Sequence, residues 1–100
     1  MLIDIQYKVN DVVSLKLTSG EEMVARLEVE TDKDITISKP YMLIANPDGQ
    51  VGLAPFMFTV TPDAKFKLKI NNVICIVKTA KDAENMYIKQ STGIAIATGS

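Results

Sequence analysis

The chain has no histidine and a single cysteine, Cys75. Without an imidazole there is no Ser-His or Cys-His dyad, and the commonest general base and commonest zinc ligand are both missing. Most familiar hydrolase chemistry is thereby excluded, no cofactor or metal site is expected, and the chain reads as a non-catalytic protein. One cysteine cannot form an intrachain disulfide, and Cys75 lies inside the apolar run from Val73 to Val77, where it reads as a small core residue. An excess of charge is missing too: 11 Lys and Arg stand against 12 Asp and Glu. The chain as a whole has no long-range pull on phosphate, so any nucleic-acid binding must come from a local patch. No apolar run approaches the ~18 residues of a membrane span. The start, Met1-Leu-Ile-Asp-Ile-Gln, has neither a basic segment nor a small-residue cleavage site. The expectation is a cytoplasmic protein with no membrane contact.

What is present is an ordinary globular composition, 47% hydrophobic and 23% charged over 100 residues, enough for one domain with one core. From Val13 to Thr18 apolar and polar residues alternate, the period of a strand with one buried face. Ser19-Gly20 supplies a turn. Met23, Ala25, Leu27 and Val29 then alternate with Val24, Arg26, Glu28 and Glu30, which predicts a second strand with its apolar set on a single face. Thr31 to Asp34 is a polar turn. A third strand starts at Ile35 and Ile37 and runs on through Tyr41 to Ala45, with a bend or edge position forced by Pro40.

Asn46-Pro-Asp-Gly49 is a strong turn signal, and Val51 to Val60 reads as a returning extended segment interrupted by Gly52 and Pro55. Thr61 to Ala64 closes it. Phe66, Leu68 and Ile70 alternate with Lys65, Lys67 and Lys69, and Asn71-Asn72 separates them from Val73 to Val77, which predicts a tight hairpin. A short helix over about 80–92 follows Thr79, whose hydroxyl is the expected cap with Asp82 three residues on, and Gly93 is its expected stop. Its apolar face is expected to gather Ala83, Met86, Tyr87 and Gln90. The tail, 94–100, alternates weakly.

Short turns and the lack of any crossover helix before the end make the sheet mostly antiparallel. A sheet of five or six strands with one apolar face hides that face by bending on itself. The fold class is all-β with one short C-terminal helix, as a small, strongly bent antiparallel barrel.

The stretch from Val13 to Lys39 resembles the first motif of the Sm and Sm-like family. Leu15-Lys-Leu17 leads to Gly20, Ala25 stands where the family prefers Gly at a sharp bend, and Leu27 and Asp32 follow. The segment Leu68-Lys-Ile-Asn-Asn-Val-Ile-Cys-Ile76 is similar to the second motif, with Lys69 keeping the charge of the family's Arg and Ile70 replacing its Gly. The carboxy-terminal helix makes small phage-type members the nearest likeness.

The resemblance implies a homo-oligomeric ring closed by pairing edge strands, and single-stranded RNA or DNA, RNA ahead of DNA, bound near its pore. It carries the first-turn site onto Lys33, Asp34 and Thr36 and the second-turn site onto Lys69, Asn71 and Asn72. The first turn departs from the family in having no aromatic or His stacker and no Asn, and Asp32 and Asp34 repel phosphate. The competing reading is an oligomeric structural or adaptor protein on the same barrel without a nucleic-acid site. Lys65, Lys67 and Lys69 suit phosphate, or simply a solvated strand resistant to aggregation. Glu21-Glu22 and Asp32-Lys-Asp34 read as solvated turn carboxylates. Tyr7, Tyr41 and Tyr87 are candidate base stackers. Pro55-Phe-Met-Phe58 reads as core packing, with a ligand groove or subunit contact as the other use of those side chains.

Overall fold

The computed structural model describes residues 7–92. Gly93 and the tail 94–100 lie outside the described residues. The order is β1 (Val12–Leu17), β2 (Glu22–Glu30), β3 (Asp34–Ala45), β4 (Val51–Pro55), β5 (Lys65–Lys69), a 3-10 turn (Ile70–Asn72), β6 (Val73–Lys78) and α1 (Lys81–Thr92). Every ladder is antiparallel, and the sheet runs β4-β3-β2-β1-β6 with β5 also paired to β3. Gly20 and Gly49 take φ of +105° and +89°, so two of the connecting turns need the freedom of glycine.

The sheet is strongly bent. If it were flat, β5 and β6 would stand four strand spacings apart, roughly 20 Å. Instead Phe66 and Leu68 of β5 and Val73 and Ile76 of β6 pack against one buried cluster, which Leu15, Leu17, Met23, Ala25, Leu27, Ile35 and Ile37 build from the strands between. Two ends of a sheet can share one core only if the sheet curls round it. The fold expected from the alternating strands is the fold formed.

The bend has a definite address. The β2–β3 register passes from Val24↔Tyr41 to Arg26↔Ser38, so Lys39 and Pro40 both stand opposite Ala25. Lys39 takes φ +49°, and Pro40 has no amide to give to the ladder. There β3 exchanges one outer neighbour for another: Asp34–Ser38 pairs β5 and Tyr41–Ala45 pairs β4. Ala25 is fully buried, as a small residue at a sharp bend should be.

A second layer covers this bend from outside. Tyr87 of α1 is 1% exposed and packs with Val12 and Val24, with Tyr41, Leu43, Leu53 and Ile88 around them. Its hydroxyl donates to the Lys39 carbonyl at 2.8 Å, and its ring meets Tyr41 edge-on at 5.8 Å. Of the three tyrosines, this one is thus withdrawn from any stacking role. Helix packing also explains Val24, which alternation assigns to the wet face of β2 and which α1 buries. The buried face of α1 runs through Tyr87 with Ala83 and Ile88 half-covered, while Met86 and Gln90 face solvent.

Several expectations are corrected. The helix begins one residue later than a Thr79 cap requires: Glu84 N–H donates to Ala80 O, and the Thr79 hydroxyl pairs with Ser14 Oγ at 2.8 Å. The return strand stops at Pro55, because the residues from Phe56 to Ala64 turn repeatedly. Asn71-Asn72 does not make a hairpin. It lies in a 3-10 turn, and β5 and β6 each pair with a different inner strand. Cys75 is exposed. The register opposite Lys16-Leu17 skips Ile74, so a bulge leaves Val73 and Ile76 inward and turns Ile74, Cys75 and Val77 to solvent.

Burial pushes the Tyr87 phenol up to about 12 from 10.0. Because the folded state holds this proton more tightly, its stabilisation is intact below pH 10 and is lost as pH rises towards 12. That loss is about 2 kcal/mol. Denaturant melts between pH 8 and 12 are expected to show the decline, and Tyr87→Phe is expected to flatten it while lowering stability at pH 8 by about 1 kcal/mol through the lost hydrogen bond.

Candidate functional site

The two turns that carry charge and amide groups are far apart in sequence, and the sheet's curl brings them together. The first, Thr31–Asp34, is ordered by its own threonine: Thr31 Oγ1 accepts from Lys33 N–H at 3.1 Å and from Asp34 N–H at 3.0 Å. The second is the 3-10 turn after β5. Ile70 N–H donates to Lys33 O at 2.9 Å, and Asn72 O accepts from Thr18 N–H at 2.9 Å. These backbone bonds fasten the second turn to the first and to the end of β1.

Between the turns lies an open hollow of about 540 Å3, lined by Asp32, Lys33, Lys69, Ile70, Asn71 and Asn72. Of the six residues singled out from sequence, Lys33, Lys69, Asn71 and Asn72 line it together. Asp34 stands beside it, paired in register with Lys69, and its Oδ1 is buried with no hydrogen-bond partner among the described residues. Thr36 is half-buried farther along β3, opposite Lys67 and Val29, and does not line the hollow. Ile70 joins the lysines and asparagines there: the hairpin that alternation predicts turns it inward, whereas in the 3-10 turn it both packs on the core and lines the hollow.

Two ammonium groups, one carboxylate and two amides make a surface suited to a polyanion with hydrogen-bonding edges. Lysine offers phosphate a point charge, and each Asn offers a donor pair and an acceptor to a base edge. Lys65 and Lys67 continue the exposed basic row outward along β5, with Lys65 drawn 3.8 Å from Glu28. No aromatic ring lines this hollow. Among the described residues no group of three His, Cys, Asp or Glu is placed to hold a metal ion, and no helix is long and apolar enough to cross a membrane.

A second hollow, about 240 Å3, lies at the bend of β3 and includes Pro40, Tyr41, Met57, Phe58, Val60 and Phe66 in its lining. Of Pro55-Phe-Met-Phe58 only Phe56 packs on the core, meeting Phe66 edge-on at 6.1 Å, while Phe58 is 79% exposed. Core packing is therefore corrected for Met57 and Phe58, which project from a turn rather than from a strand with a buried face.

No family model matches the chain, and no curated protein matches it.

Thr31→Val removes the acceptor that two amides of the first turn share. It is expected to cost about 1 kcal/mol in urea denaturation. Amide exchange at Lys33 and Asp34 is expected to rise while that of the β1–β2 ladder stays unchanged.

Proposed function

We propose that the protein is a ring-forming, non-catalytic Sm-like subunit that binds single-stranded nucleic acid, RNA in preference to DNA, in the hollow between its two turns. The observation that carries this reading is the convergence of Lys33 with Lys69, Asn71 and Asn72 on one open surface, fixed by the Ile70-to-Lys33 backbone bond. Lys33 and Lys69 hold phosphates, and Asn71 and Asn72 contact base edges. A single hollow with two lysines and one aspartate binds weakly; repetition round a ring multiplies the contacts along one strand.

Assembly is supported by the sheet's edges. Among the described residues β5 pairs only with β3 and β6 only with β1, so no described strand occupies the other edge of either. Ile74 and Val77 on β6 are exposed as well. An exposed apolar strand edge pairs readily with another chain, and two different edges on one molecule give a head-to-tail contact, which closes into a ring when the rotation between copies allows it.

One observation favours the adaptor reading: Asp32 lines the hollow, in a chain of net charge −1. The two readings separate by fluorescence anisotropy with oligo-U, oligo-A and single-stranded DNA at low and physiological salt. Binding is expected at low salt. Lys69→Ala is expected to weaken it for all three sequences and to reduce the slope of log K against log salt by about one. No binding at low salt, or binding indifferent to Lys69→Ala, would leave the adaptor.

A further inference from the structure

The hollow beside Phe58 lies at the other end of β5 from the lysine and asparagine turns. Its loop runs from Phe56 through Ala64 directly into Lys65, the first residue of β5, and is pinned by Lys39 Nζ donating to Pro62 O at 3.2 Å and Ala64 N–H donating to Thr61 O at 3.1 Å. Phe58 is 79% exposed there, with Met57 and Val60 at 43% and 40%. So much apolar surface held against solvent beside a concave wall marks a contact site.

The same molecule exposes apolar side chains elsewhere. On β6, Ile74 is 62% and Val77 47% exposed. We infer that the hollow receives the β6 side chains of a second copy of this chain, with Val77 seated against Phe58, so that the loop from Phe56 to Ala64 clamps the contact between subunits. The inference rests on the proposed pairing of β5 with a neighbour's β6.

Direction and area favour this occupant. All the ladders of this sheet are antiparallel, and pairing β5 with β6 antiparallel and centre to centre sets the end of β6 at Val77-Lys78 beside Lys65, next to the hollow. A five-residue strand is only about 17 Å long, and one such ladder buries much less than the ~800 Å2 per partner of a stable interface. An aromatic anchor beside the ladder supplies the missing apolar contact. The clamp acts at the Lys65 end, which keeps the turns at the Lys69 end open for a ligand.

The test is light scattering of the full chain through a dilution series, for wild type, Phe58→Ser, Val77→Ser and the double variant. Since Phe58 and Val77 are exposed in the single chain, all four are expected to melt alike at dilutions where the chain is monomeric. Each single change is expected to raise the dissociation midpoint at least ~10-fold, and the double change is expected to cost less than the product of the two, since both remove one contact. In a Cys75→Ser background, Phe58→Cys with Val77→Cys is expected to give a ladder of disulfide-linked oligomers on oxidation. A wild-type monomer at tens of micromolar would overturn both the ring and the clamp. An oligomer weakened by Val77→Ser but indifferent to Phe58→Ser, or one giving no ladder, would overturn the clamp and leave edge pairing standing.

Discussion

The structure turns on the bend of β3 at Lys39-Pro40. A proline that cannot donate and a lysine at φ +49° interrupt the ladder opposite Ala25, and Tyr87 from α1 caps the Lys39 carbonyl that the interruption exposes. A buried carbonyl without a partner would cost about 1–3 kcal/mol. The helix therefore holds the kink as well as covering it. Because of the kink one long strand serves two partners, β5 before it and β4 after it, and the sheet curls until its ends share a core.

The candidate site follows from that curl. Lys33 precedes β3 and Lys69 ends β5, and the β3–β5 pairing through Asp34↔Lys69, with the Ile70 N–H to Lys33 O bond, sets the two turns side by side. The curl does not close the sheet with a ladder between β5 and β6. Each has one edge that no other described strand occupies, and the two strands differ: β5 presents lysines, whereas the bulge in β6 turns out Ile74, Cys75 and Val77. The proposed ring would pair these two unlike edges head to tail.

Strands with one wet face were legible in the sequence, because a period of two needs only local side-chain chemistry: β1, β2 and β5 stand where alternation put them. What alternation misread depended on distant partners. Val24 is buried by a helix some sixty residues away along the chain, and Cys75 is exposed because a bulge shifts the inward set of an edge strand. Phe58 is exposed because the chain turns after Pro55 instead of continuing as a strand. At the candidate site, Lys33, Lys69, Asn71 and Asn72 were legible through the likeness of their turns to a known pattern. Their convergence was not, since it requires the register of β3 against β5. Thr36 belongs to the ladder rather than to the hollow for the same reason.

The proposed ring requires that the outer edges of β5 and β6 pair between copies. Amide hydrogen exchange across Lys65–Lys69 and Val73–Lys78, followed from dilute to concentrated protein, tests it most directly. In each strand the amides turned away from the ladder within the chain should gain protection as concentration rises, and the two strands should gain it together. Exchange in both strands that is unchanged over the whole concentration range would contradict the claim.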